Sequence, residues 1–292
     1  MELRLLQAFT QTALAPTFSE AAAALSITQP ALTKRIQQLE AVVGTPLFRR
    51  GRHGSELTAA GAALLDEARD VVERATRFAA RARRVAAGEE GHLTVGFGLS
   101  SISVAPRAVA AFRAAVPRVL VGLHDMSSAA QIDGLRVGRI DVGFARLPVP
   151  ADLRSIPVLR DRLAIAYPEE LAPPRDDAAL AGWLDDQALV RLTPGRGPGL
   201  SAQTARFVDH IGAHPTVIQE ADDLQTVLAL VAAGVGAAIV PESARNIVPP
   251  RVRMTPVADR SASWEVGVVW NPVTETPAVR AFLARLTASS PD

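Results

Sequence analysis

Apart from residues 47–58, apolar positions keep a helical period through the first ninety residues of the 292-residue chain, then give way to short runs separated by helical stretches. Leu3, Leu6, Phe9 and Thr10 recur at helical spacing and predict a first helix. Thr17-Phe18-Ser19-Glu20 opens a second, with Thr17 as N-cap and Glu20 three residues on as a capping box. That helix runs to Leu25, and Ser26-Ile27 is a tight connection. Thr28 caps a third helix, and Pro30 is tolerated in its first turn because the missing N–H would have no partner there. Leu32, Ile36, Leu39 and Val43 form one apolar stripe, Gln29, Pro30, Thr33, Lys34 and Gln37 fall opposite, and Gly44 ends the helix.

Two helices joined by so short a turn predict a helix-turn-helix, whose second helix offers its N-terminal polar residues to the major groove. Gln29 suits adenine edges, Lys34 guanine edges or phosphate, and the Thr33 methyl a thymine methyl. Arg35 reaches a phosphate. The same pattern describes the solvated face of an ordinary helical domain, so the next segment matters. Residues 47–58, LFRRGRHGSELT, place Arg49, Arg50, Arg52 and His53 among glycines between apolar ends. This predicts a basic hairpin, a wing suited to phosphate or minor-groove contact.

From about Ala59 to Ala87 the pattern predicts one helix of roughly 40 Å. Leu64, Ala68, Val71, Ala75, Phe78, Ala82 and Val85 alternate spacings of four and three, a heptad seam, with Asp70–Arg74 and Glu73–Arg77 pairs beside it. So narrow a stripe needs a partner. A second copy of the helix is the economical one, and the chain's own later half is the alternative. Gly88 and Gly91 mark the helix end and a hinge.

After Gly91, strand-like runs alternate with helices: LTVGF at 93–97, a helix from SISVAPR to Pro117, RVLVGL, a helix from Ser128 to Val137, and IDVGFARL. DRLAIAY at 161–167 starts a second series through ALVRL, a helix from about Leu200 to Ile211, PTVIQEA, DLQTVLALVAAG and GAAIVP. SWEVGVVW at 263–270 returns, and TPAVRAFLARLTASS is a final helix. The alternation predicts parallel sheets with right-handed crossovers in two lobes, crossed near Asp161 and Glu265. That is a hinged cleft resembling periplasmic binding proteins. The expected fold class is therefore α+β and multidomain: a winged helix-turn-helix at residues 1–58, a linker helix at 59–88, and a two-lobe α/β effector domain at 89–292. Lobe I takes about 91–161 and 266–292, lobe II about 162–265.

Ligands of open α/β sheets sit at strand carboxyl ends, where helix N-termini offer free N–H groups. Three loops qualify: Gly98 to Ser101, Met126 to Ser128, and Thr193 to Leu200. Hydroxyls with helix-end amides suit a small carboxylate or phosphate, although each serine alone is an equally good N-cap. Arg146, just past a strand end, either neutralises the anion or pairs across the lobes.

Composition adds exclusions. Net charge is +1, so any nucleic-acid site comes from local clustering. There is no cysteine, which removes disulfides, thiolate zinc sites and Fe–S ligation. No metal or other cofactor is expected. No apolar run long enough for a membrane span occurs, and the N-terminus lacks the apolar core of a secretory signal, so a cytoplasmic location is expected. Among the five histidines only His210 and His214 are four apart, and no Gly-x-Ser-x-Gly elbow, Walker loop or full dinucleotide fingerprint is present. An enzyme is therefore not expected. Lys34 is the only lysine, and its sequence context does not explain the choice over arginine.

Residues 1–65 resemble the N-terminal domain of LysR-type transcriptional regulators. The likeness is carried by FSEAAAALSITQPALTKRIQQLEAVVGTPLFRRGRHGSELTAAG, with the Ala-Ala pair, Gln-Pro-Ala, Leu-Glu, Gly-x-x-Leu-Phe-x-Arg and Leu-Thr-x-x-Gly in order. Thr17 and Thr33 stand where the family usually has serine, and Pro16 where it often has glycine. The resemblance implies double-stranded promoter DNA as a partner, a homodimer through the linker helix, a homotetramer, and a small, anionic effector between the lobes. It leaves room for RNA polymerase as a further partner. GRIDVGFARL, LVAAGVGAAIVP and RGPGLSAQ most resemble the members that govern aromatic-compound catabolism and sense muconate, benzoate or related acids. In that subgroup a serine of the first loop and a hydroxyl before the second helix hold the effector carboxylates, which implies Ser100 or Ser101, and Ser128. Gly199 and Leu200 lie in the corresponding lobe II loop, with Leu200 in place of an aromatic.

Overall fold

The computed structural model describes residues 1–51, 54–174 and 176–288. The chain divides into two compact units, Met1–Arg84 and Val85–Asp292.

The first unit contains α1 (Leu3–Leu14), α2 (Phe18–Ala24), α3 (Gln29–Val43), a hairpin of β1 (Phe48–Gly51) and β2 (Gly54–Leu57), and most of α4 (Ala59–Ala86). Thr17 caps α2 by accepting from the Glu20 N–H, as the spacing predicts, but the Glu20 carboxylate accepts from the Thr17 hydroxyl instead of closing a full capping box. The turn to α3 is made by Ser26 at a φ of 54°, a left-handed conformation rare for a side-chain-bearing residue. Gly44 ends α3 at a φ of 83°. Leu32, Ile36 and Leu39 are buried, whereas Val43, read as part of the same stripe, is exposed. In α1 the core takes Leu5, Leu6 and Phe9, and Leu3 stays outside. Phe48 of the hairpin meets Phe9 and Phe18 edge-on, with ring centres 5.6 and 5.9 Å away. Those contacts tie the wing to the helices. A Cβ at Gly61 would lie 2.2 Å from the Leu47 carbonyl oxygen, so only glycine lets α4 approach the strand entry so closely.

Along α4 the seam is buried only at its start. Ala68 of the seam joins the core, with Leu64 partly buried and Leu65 buried beside it, while Val71, Phe78 and Val85 are 47, 73 and 45% exposed. Glu73 and Arg77 pair at 3.7 Å and Asp66 pairs with Arg69 at 3.4 Å.

The second unit runs β3 (Gly91–Phe97), a 3-10 turn (Leu99–Ser101), α5 (Ala105–Ala115), β4 (Val119–Asp125), α6 (Ser128–Arg136), β5 (Val142–Arg146) and β6 (Arg154–Pro168). It continues through α7 (Asp177–Asp185), β7 (Ala188–Leu192), α8 (Pro198–Ile211), β8 (Thr216–Ala221), α9 (Leu224–Ala232), β9 (Ala238–Pro241), a 3-10 turn (Glu242–Ile247) and β10 (Val252–Pro256). A last short turn (Arg260–Ala262), β11 (Ser263–Trp270) and α10 (Pro277–Ala288) follow. Gly98 and Ser101 close the first turn on each other, so the helix expected from Ser101 begins only at Ala105. The sequence reading overlooked α7 and β10, each next to prolines that break the periodic pattern.

The expectation of parallel sheets holds in part. β3 pairs parallel with β4 and β5, and β7 with β8. β11 pairs antiparallel with β5 and β6, and β6 with β9 and β10. The cause is connectivity: β6 and β11 pass directly between lobes with no crossover helix to reverse the chain. Ile156 and Val158 of β6 pack on the first lobe's core, Leu163 and Ile165 in the second lobe's. On β11, Val268 and Trp270 belong to the first core, Trp264 and Val266 to the second, and the register slips between Val266 and Gly267.

Candidate functional site

On α3 the polar face stands clear of the core. Thr28 caps the helix by accepting from the Ala31 N–H at 3.4 Å. Thr28, Gln29, Pro30 and Lys34 are exposed, and Thr33 and Arg35 partly so. The Gln29 side-chain oxygen accepts from the Ser19 hydroxyl of α2 at 3.1 Å, which fixes the amide's orientation and leaves its two N–H donors outward. Thr33 turns its hydroxyl back to the Gln29 carbonyl at 3.0 Å, and its methyl is the group left to face out.

The wing is held by a residue that sequence reading used only as a motif letter. The Glu40 carboxylate, near the end of α3, accepts from the Leu47 and Phe48 N–H groups at 2.8 and 3.3 Å. Arg49 faces Glu56 across the hairpin and pairs with it at 3.0 Å, so its charge is partly matched already. Arg50 stands opposite Ser55 in the ladder. Arg52 lies outside the described residues.

In the second unit the structure gathers polar groups where the two lobes meet. Ser127 is the N-cap of α6, accepting from the Ala130 N–H at 3.2 Å. That leaves Ser128 for another role, and its hydroxyl oxygen accepts from the Arg146 N–H at 3.1 Å with its proton still to donate. Ser101 is fully buried and bonded both ways to Gly98, while Ser100 beside it is partly exposed. The turn holding both serines lies against the Glu242–Ile247 turn of the other lobe. The Arg146 guanidinium donates to the Gly199 carbonyl at 2.9 Å and lies 3.6 Å over the Trp264 ring. Burial lowers its pKa to about 10; Asp161 opposes that shift and Arg206 adds to it. The side chain is still a cation at neutral pH. Leu200, next to Gly199, belongs to the same second-lobe core as Trp264, with Leu163, Ile165 and Phe207, and lines a cavity of about 400 Å³ under α8. Trp264 and Ser19 escaped the sequence reading, because one looks like an ordinary strand core residue and the other contacts α3 only through the folded turn.

An exposed polar recognition helix beside a wing, followed by a two-lobe α/β ligand-binding domain, defines a DNA-binding transcriptional regulator. Residues 3–62 match the family described as bacterial regulatory helix-turn-helix protein, lysR family, and residues 86–290 match the LysR substrate binding domain. The chain belongs to the LysR-type family of transcriptional regulators, and it is not an enzyme. It is 34% identical over 286 residues to the HTH-type transcriptional regulator TfdS of Cupriavidus pinatubonensis (strain JMP 134 / LMG 1197), covering 97% of each chain. It is 32% identical to AlsR of Bacillus subtilis (strain 168), covering 85% of this chain and 82% of that one. Among solved structures, the LysR family regulator CbnR superposes with a TM-score of 0.80 at 29% identity, covering 98% of this chain and all of that one. Full-length CbnR complexed with its target DNA gives 0.78 at 28% identity over 99% of both chains. No helix among the described residues is long and apolar enough to cross a membrane.

Proposed function

We propose that the chain is a cytoplasmic regulator whose promoter binding is set by a small anionic effector held between the lobes of its second unit. Residues 1–58 form the DNA-binding domain, 59–88 the dimerising linker and 89–292 the effector domain. Gln29, Pro30, Thr33 and Lys34 read the major groove from a helix capped by Thr28, and Arg35, Arg49, Arg50 and Arg52 meet phosphates. The effector is held by Ser100, Ser128 and Arg146, with the α8 entry at Gly199 on the opposite side. Ser101 serves its own turn, and Leu200 supports α8 from within the core. Two chains pair through α4 and two pairs assemble into a tetramer, with RNA polymerase the natural partner for activation. The observation that carries the effector reading is the convergence of the Ser128 hydroxyl and the Arg146 cation on one lobe junction. CbnR, solved with its target DNA, supports the DNA reading. An effector shifts the regulator only by binding its two states with different affinity.

The test is fluorescence anisotropy with DNA upstream of the chain's own gene against a scrambled duplex, across a salt series. A sequence preference and a steep salt slope are expected. Gln29→Ala should cost about 1–3 kcal/mol at one base pair and relax specificity there. Equal operator discrimination by mutant and wild type would remove Gln29 from the groove face. Ser128→Ala should leave DNA affinity intact and blunt the response to small carboxylates. An unchanged carboxylate titration would exclude Ser128 from the ligand contacts.

A further inference from the structure

Arg146 ends β5 in the first lobe, where it pairs with Val266 of the crossing strand β11, and its guanidinium reaches groups that pack in the second lobe. One is the Gly199 carbonyl, at the entry to α8. The other is the face of Trp264, which packs in the second lobe's core. A flat cation lying on an indole is held both by the ring's electron-rich face and by stacking, and the attraction grows where water is excluded. The Gly199 carbonyl uses one of five guanidinium donors and is a neutral acceptor. A carboxylate makes shorter, stronger and often two-pronged bonds to the same fork. It can therefore replace the carbonyl while the indole keeps the guanidinium flat.

We propose that Arg146, Trp264 and Gly199 form a latch between the lobes in the free protein, that Trp264 is the positioning residue that holds Arg146 in plane, and that a carboxylate releases the latch by taking the place of the Gly199 carbonyl. The latch itself requires no ligand; its release by a carboxylate rests on the effector reading above. The contact between the Leu99–Ser101 and Glu242–Ile247 turns lies across the same junction, and Leu99 packs against the second lobe's apolar cluster. Exchange of those two turns therefore reports whether the junction is shut.

The experiment uses the full chain without ligand. Arg146→Met keeps the length of the side chain and removes its charge. A charge over an indole ring displaces its emission, so Arg146→Met should shift tryptophan emission in the wild-type background and not in a Trp264→Phe background. The other two tryptophans, Trp183 and Trp270, serve as the constant signal. Hydrogen exchange at Leu99–Ile102 and Glu242–Ile247 should quicken about tenfold in Arg146→Met and in Trp264→Leu. Trp264→Phe, which keeps an aromatic face, should stay near wild type. An Arg146→Met protein with wild-type emission and exchange would overturn the latch, whatever the core substitutions do. So would equal opening by Trp264→Phe and Trp264→Leu, because that is the mark of a merely structural core residue. Benzoate, added to the wild type at saturating concentration, should then quicken exchange at Gly199–Gln203. If Arg146→Met opens the junction but benzoate, shown to bind by calorimetry, leaves that segment unchanged, the latch stands and its release by a carboxylate is refuted; if benzoate does not bind, the effector reading is refuted for that acid and the latch is judged on Arg146→Met alone.

Discussion

Phe78→Asp is expected to convert a dimer into monomers and to reduce promoter affinity on the order of 10²–10⁴-fold, the gain that linking two half-site modules provides. Phe78 is 73% exposed on a helix whose apolar seam continues through Val71 and Val85, 47 and 45% exposed. In a paired helix the ring is buried against its counterpart, and an aspartate there places two like charges in a dry seam. Because Phe78 lies outside the monomer core, the substitution should leave the unfolding of each unit nearly unchanged. Light scattering after gel filtration gives the oligomeric state, and anisotropy on a two-half-site duplex gives the affinity. A variant that remains dimeric would show that α4 is not the pairing element, and the exposed seam would need a different partner.

Leu32→Ala is the second large effect. Leu32 is fully buried in the first unit's core, on the same helix that carries the proposed groove face. Deleting three carbons there should cost about 2–5 kcal/mol, transfer and cavity terms together. A small domain has on the order of 5–15 kcal/mol in all, so the loss removes much of its margin. The expected result is a lowered first unfolding transition and lost DNA binding at growth temperature. The second unit's transition and its ligand response should persist, since its cores share no residue with this one. Calorimetry resolves the two transitions. A single transition lowered as a whole would mean that the units unfold cooperatively.

Local signals in the sequence made the first unit legible. The Thr28 cap, Pro30 in the first turn, the Leu32–Ile36–Leu39 stripe and the Gly44 stop are each decided within a few residues, and each appears in the structure. Strand β11 was legible from end to end because its apolar residues run from Trp264 to Trp270 with only Glu265 as a polar break, a pattern with few other uses at that length. What remained hidden depends on residues far apart in the chain. Sheet direction follows from two strands crossing between lobes, which alternation alone does not report. Trp264 meets Arg146 across 118 positions (264 − 146), and no window along the chain contains both. Glu40 looks like one more charged residue on a helix until the hairpin folds back and offers it two backbone donors. Leu200 aligned with a ligand-facing position, but its burial is set by Leu163, Ile165 and Phe207, which come from two different elements.

The Glu40 contact has a consequence for how DNA is read. One carboxylate on the recognition helix holds the amides of Leu47 and Phe48 at the start of the hairpin, which ties the wing to the helix. The domain is a caliper with a fixed gap. If, as proposed, one jaw rests on base edges and the other on the phosphate chain, the distance between them is set by this contact and not by the duplex. A site whose groove already has the matching width is gripped at no cost, whereas another of equal base content has to be bent or squeezed first. On that reading, base pairs that no side chain touches enter the operator sequence through their stiffness.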